Sequence, residues 1–144
     1  MSAKYNYSPR SASSNYKRLL PFLDAVDASD DQHITFHADG YMPLSIESLG
    51  YSFNGCPVYS MMHYYVQYGD LMRDPDMTFY VDRDNKKIVP MSFQQDGLGI
   101  PLYQEVFDSL TRYRPRLLSD LDSFLRTWTT NIIDQGFDPK QAAA

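Results

Sequence analysis

The chain has one cysteine, Cys56, so no disulfide can form within it and no multi-cysteine metal knuckle can be built. Glutamate is nearly missing: of 18 acidic residues only Glu47 and Glu105 are glutamates. No uncharged apolar run approaches the roughly 18 residues of a membrane-spanning helix. Basic residues are the minority, 13 Lys and Arg against 18 Asp and Glu, a formal net charge of -5. That balance argues against nucleic acid as a partner, because a phosphate backbone selects a clustered basic face. Residues 1–15 are polar and lack the apolar centre of a secretion signal. Together these features give no membrane association and favour the cytoplasm.

What is present points to a sheet. Aspartate caps helices and makes turns but is a poor helix former, and the 12 tyrosines are strand residues by preference. At 144 residues the chain fits one domain. We divide it into an N-terminal arm at 1–13, a single α+β domain at 14–137 and a tail at 138–144. Residues 14–26 carry Tyr16, Leu19, Leu20, Leu23 and Val26 at helical spacing, with Ser13 or Ser14 as cap. Pro21 inside that stretch predicts a kink, or a helix that starts there. Asp27 to Asp31 form an exit loop.

From residue 33 the period shortens to two. His33 to His37 alternates, Ala38-Asp39-Gly40 turns, and Pro43 to Leu49 alternates again. Residues 57–68 fit either a helix or a strand, and their aromatic and β-branched content favours a strand. Met77 to Val81 and Lys87 to Phe93 flank Asp82 to Lys86, a hairpin connection. Pro90 predicts an edge strand or a bulge. Asp96 to Gly99 is a turn and Leu102 to Phe107 a strand after it. The last helix is bounded by Pro115 and Gly136. It carries the stripe Leu117, Leu121, Phe124, Leu125, Trp128, Ile132 and Ile133, with Trp128 against the sheet. The fold predicted is α+β: an antiparallel meander of five or six strands flanked by an N-terminal and a C-terminal helix.

The densest polar text is His63 to Asp82, which holds a histidine, an arginine, four aspartates and two turn formers. His63 with Asp70, Asp74, Asp96 or Glu105 is the candidate general base with an orienting carboxylate. Asp70, Asp74, Asp76 and Asp82 are the arguable hard-cation cluster, but Asp74-Pro75-Asp76 imitates only a fragment of a calcium loop, and Asp70 and Asp74 read better as turn residues bonding nearby backbone N–H groups, with Arg73 pairing one of them. His33, His37, His63 and Cys56 are too few and badly spaced for zinc. Cys56 follows the turn Asn54-Gly55 and lacks the setting of a nucleophile. No phosphate loop or dinucleotide fingerprint occurs. No metal and no cofactor are therefore expected. The binding surface expected is His63, Tyr65, Gln67, Asp70, Arg73, Asp74, Gln94 and Asp96. Arg112, Arg114 and Arg116 make at most a small basic patch.

Several of these stretches resemble a bacterial domain-of-unknown-function family of short proteins. The matching text is Met42 to Glu47, His63 to Met77, Gln94 to Gly99, Tyr103 to Val106, Ser123 to Trp128 and Gln135 to Phe137. In that family an Asn tends to stand at the position of Tyr68 and a Glu at that of Asp76; Pro101 is a further local departure. The resemblance implies an accessory protein encoded on conjugative elements, plasmids or phages of Gram-positive bacteria. It carries no catalytic residues. The function expected is a non-enzymatic protein-binding module, an inhibitor or modulator of a host system being one form, with self-association compatible. The alternative is a hydrolase-like or nucleotide-processing enzyme built on His63.

Overall fold

A computed structural model describes residues 3–97 and 102–143. The turn expected over Asp96 to Gly99 lies partly, and the departure at Pro101 wholly, outside the described residues. The order of elements is α1 (Ala12–Ala28), β1 (His33–Phe36), β2 (Leu44–Phe53), β3 (Cys56–Gln67), β4 (Asp70–Asp82), β5 (Lys87–Gln95), β6 (Leu102–Glu105) and α2 (Pro115–Asp134), then a 3₁₀ turn at Pro139–Ala143. The six strands form one antiparallel sheet in chain order, β1 to β6. This is the predicted α+β meander between two helices.

Tight turns make the meander. Asn54 and Gly55 join β2 to β3, and Tyr68 and Gly69 join β3 to β4; all four have positive φ. Two-residue loops of that geometry match the twist of the flanking strands, and Asn-Gly is their preferred sequence. Residues 57–67 fall in β3 and Tyr68 in the turn after it, so the aromatic and β-branched content marks a strand rather than a helix. Pro90 sits in a strand paired on both sides, and the register slips beside it: Thr78 faces Ser92 but Phe79 faces Pro90. Met91 is the extra residue of that bulge, the device that lets proline sit inside a sheet.

Residues that face each other across neighbouring strands share a side of the sheet. One row across the sheet is Ile34, Ile46, Met61, Met77 and Phe93. Its four inner members are buried, and Phe93 meets Phe124 of α2 edge-to-face at 5.3 Å. Both helices cover this side. Trp128 lies there as expected, its ring 5.5 Å from that of His63.

Four expectations are corrected. The helix predicted at 14–26 begins at Ala12 and runs unbroken through Pro21. Pro21 and Lys17, whose carbonyl loses its partner, are both exposed, so water can satisfy it. Ser13 and Ser14 do not cap it: Ser11 stands at that position and its N–H donates to Asp122 Oδ2 of α2 at 2.9 Å. Asp70 and Asp74, expected to make turns, belong to β4. Met62 faces Asp76 but Tyr64 faces Arg73, so Asp74 and Pro75 form a bulge inside the strand, with a cis bond between them. Finally, Ile133 and Phe124 are exposed and Leu118 is buried in place of Leu117, so the apolar stripe of α2 is shifted toward Leu118, Leu121, Leu125, Trp128 and Ile132.

The other side of the sheet is covered at one end only. There Tyr80 is buried, and the N-terminal segment lies over it. Lys4 N–H donates to the Asn54 carbonyl at 3.2 Å and Tyr5 N–H to Asn54 Oδ1 at 2.9 Å. Asn54 in turn donates to Tyr80 Oη at 3.1 Å. The Tyr7 ring packs edge-on against Phe107 and Tyr113, both at 5.0 Å. The buried Lys87 ammonium donates to Asn6 Oδ1 and the Tyr7 carbonyl.

Candidate functional site

His63 points into the helix side of β3. It is 9% exposed, between Trp128 at 5.5 Å and Phe137 at 5.7 Å. Its Nδ1 lies 3.2 Å from the Pro43 carbonyl. A carbonyl only accepts, so Nδ1 carries the proton. Burial pushes the imidazole below its ordinary value of 6.5. Among the described residues no carboxylate is hydrogen-bonded to it. The sequence set His63, Asp70, Asp74, Asp96 and Glu105 is therefore not assembled as an acid–base pair.

The carboxylates are used elsewhere. Asp70 is exposed beside the β3–β4 turn, opposite Gln67. Asp74 Oδ1 accepts from Gln95 Nε2. Asp96 Oδ2 accepts both the backbone N–H of Arg73, at 3.0 Å, and its Nε, at 2.9 Å. Those bonds hold the Asp96 carboxyl below the usual carboxylate range. Asp82 is fully buried and accepts from the backbone N–H and the amide of Asn85 in the β4–β5 turn. Gly97 follows with φ +85, and a Cβ there would lie 2.6 Å from the Tyr65 hydroxyl. Arg73, Asp74, Asp96 and Tyr65 thus lock the base of the β3–β4 hairpin to the end of β5. Among the described residues no group of three or more His, Cys, Asp or Glu side chains is placed to hold a metal. Burial pushes the Cys56 thiol up to about 11, which keeps it protonated and inert.

A buried neutral histidine has a pH signature. The unfolded imidazole takes a proton at higher pH than the folded one, so stability is full above the ordinary value and falls as pH drops through the folded value. Asp76 and Asp122, whose carboxyls burial pushes up, act with the opposite sign. The comparison of wild type with His63→Leu isolates the histidine. Urea midpoints at pH 7.5 and 5.5, values chosen to bracket the ordinary histidine range, are expected to differ more in wild type than in the variant. Equal differences would mean that His63 is hydrated.

The feature missed in the sequence is the open side of the sheet. The register lines up His33, Glu47, Ser60, Thr78, Ser92 and Glu105 in one row across all six strands. The next row is Thr35, Ser45, Met62, Asp76, Gln94 and Tyr103. Side chains bond along and between these rows: His33 Nε2 with Ser45 Oγ at 2.6 Å, Thr78 Oγ1 with Ser92 Oγ at 2.5 Å, and Tyr103 Oη to Glu105 Oε1 at 2.6 Å. Asp76 Oδ1 is buried without a hydrogen-bond partner among the described residues. The only hint in the text was alternation, which marks a solvent side but not a register.

At the end of the sheet near residues 64–73, apolar side chains reach solvent. Val66 faces Leu71 across the hairpin, 67% and 49% exposed, and Tyr68 at the turn is 96% exposed. Of the binding surface expected, Gln67, Asp70, Arg73, Tyr65, Asp74, Gln94 and Asp96 lie on strands or turns of this end, while His63 is buried behind it.

Comparison with known families matches a domain of unknown function, DUF6908, over residues 14–138. The chain belongs to the DUF6908 family. That match spans the whole sheet, α2 and all of α1 but its first two residues. No curated protein and no solved structure matches it. No helix among the described residues of this DUF6908 protein is long and apolar enough to cross a membrane.

Proposed function

We propose that this DUF6908 protein is a non-enzymatic module that binds another protein through the β3–β4 hairpin end. The observation that carries the reading is the exposure of Val66, Tyr68 and Leu71 on a hairpin whose base is braced by Arg73–Asp96 and Asp74–Gln95. Apolar side chains grouped in water on a rigid support mark a contact surface, and tyrosine is enriched in such surfaces. Tyr68 also holds φ +52, a backbone state that bulky residues rarely adopt. A turn selected for stability alone would carry Asn there. The setting on a mobile element belongs to the same reading and rests on the resemblance in the His63 to Met77 stretch; action as an inhibitor or modulator of a host system is one form of it, supported by the acidic charge and the 12 tyrosines.

The test is a photo-crosslinking amino acid at position 68, with the same residue at exposed Lys17 as control, in cells that carry the gene. One discrete adduct is expected at 68 only, lost in Val66→Ser/Leu71→Ser. No adduct, or the same pattern at both positions, overturns the reading. Tyr68→Asn separates binding from folding: it is expected to stabilise the domain by about 0.5–1 kcal/mol in chemical denaturation while reducing partner capture.

A further inference from the structure

The sheet has two edges, and they differ. β1 is flanked by the 3₁₀ turn Pro139–Ala143, and the His37 N–H beyond it donates to Gln141 Oε1 at 3.2 Å. Among the described residues no strand lies beyond β6. The direction of its backbone groups follows from the register. Glu105 faces Ser92, and the N–H of Val106 donates to the Met91 carbonyl at 2.8 Å. In an antiparallel ladder that makes Glu105 and Ser92 a non-hydrogen-bonded pair. The N–H and C=O of Glu105, and two residues earlier those of Tyr103, therefore point away from β5. One of these outward groups is already occupied: Arg114 Nη1 donates to the Glu105 carbonyl at 2.6 Å. A side chain holds the place that a neighbouring strand's N–H would take. Beside this edge runs a groove of about 340 Å³ lined by Tyr103, Gln104, Glu105, Asp108, Arg114 and Leu117, with β6 as one wall and the start of α2 as the other.

The charge says what suits it. The edge strand itself carries the exposed carboxylate of Glu105, and Asp108 lies in the groove, 3.7 Å from Arg114. Tyr103, whose hydroxyl donates to Glu105, is pushed up to about 12 chiefly by that bond, so it stays a neutral donor. The whole chain is acidic, at -5.

We propose that the outer edge of β6 receives an extended, basic segment of the partner protein as a seventh strand, in the groove between β6 and α2. This rests on the protein-binding reading above and names the partner's chemistry. The segment bonds the outward groups of Tyr103 and Glu105, displaces Arg114 from the Glu105 carbonyl, and sets a Lys or Arg beside the Glu105 carboxylate. Strand addition of this kind takes affinity from main-chain hydrogen bonds and specificity from alternate side chains.

The probe is a capped synthetic peptide, Thr-Lys-Val-Lys-Val-Lys-Thr, titrated into the full-length protein and followed by amide NMR shifts and hydrogen exchange. Shifts centred on Leu102 to Glu105 and slowed exchange at the Tyr103 and Glu105 N–H groups are expected. A twin peptide N-methylated at its lysines, and one with Glu in place of Lys, should each bind at least about tenfold more weakly. Tyr103→Pro should weaken binding by about as much, since it deletes one outward N–H. The Gln104 amide, which points at β5, should stay protected in that variant and so reports an intact sheet. Binding that leaves β6 unmoved, or equal binding of either twin, overturns the proposal. So does edge protection that grows with protein concentration without peptide, which would assign the edge to a second copy. The position-68 adduct is independent: its loss with peptide binding intact removes the hairpin surface and leaves the edge, and the reverse result removes only the edge.

Discussion

Trp128→Ala is expected to cost ~3–5 kcal/mol of unfolding free energy, the range for truncating a large buried aromatic. Trp128 is 5% exposed and lies between α2 and the sheet. Its ring meets His63 of β3 at 5.5 Å and Phe124 of its own helix at 5.9 Å. Removing it leaves a void between sheet and helix that neither backbone can close. The cost is one of packing, because the indole Nε1 is buried without a hydrogen-bond partner among the described residues. Trp128→Phe is therefore expected to lose much less, about 1–1.5 kcal/mol, since it keeps most of the volume and deletes an unsatisfied donor. Urea denaturation at neutral pH measures both. A loss below about 1 kcal/mol for the alanine variant would show that α2 does not anchor on β3.

Trimming the chain through Ser8 is expected to cost at least ~3 kcal/mol, from the loss of a packed aromatic and of partners to buried polar groups. The segment resembles a loose arm in sequence, polar and Ser/Tyr-rich. In the fold it backs the sheet. Without it Asn54, 2% exposed, loses its bonds to Tyr5, and Lys87, 7% exposed, loses both its acceptors. A buried ammonium left without acceptors is expensive. Phe107 and Tyr113 lose the Tyr7 ring between them. Tyr7→Ala alone should cost ~2–3 kcal/mol, a part of the whole. A trimmed protein as stable as the full chain would show that the segment only rests on the surface.

The elements that could be read from the text were those where one periodicity dominates. The Asp82 to Lys86 hairpin, the strands around it and the C-terminal helix are of this kind. β4 was cut short because Asp70, Asp74 and Pro75 are turn formers by local preference. The stretch is held in a strand by the bulge at Asp74-Pro75 and by side-chain partners more than twenty residues away, Gln95 for Asp74 and Asp96 for Arg73. Local preference contains neither. The stripe of α2 was misplaced at Leu117 and Ile133 for a related reason: periodicity gives the width of an apolar face, while the neighbour decides where its centre lies. The site was the least legible. His63 looked functional because it stands in polar text, yet the alternation of β3 turns it to Trp128 and Phe137. The open-side rows come from residues in six separate strands, and nothing in a linear reading sets Glu47 level with Glu105.

The contact between Ser11 and Asp122 has a consequence for synthesis. The opening amide of the first helix is satisfied by a carboxylate that leaves the ribosome 111 residues later. Arg18 likewise waits for Thr129. A nascent chain holding only the first helix and the early strands thus lacks the groups that finish that helix's start. The first turn of that helix completes its bonding only late in translation, and a stall before the final helix leaves the helix side of the sheet covered by α1 alone.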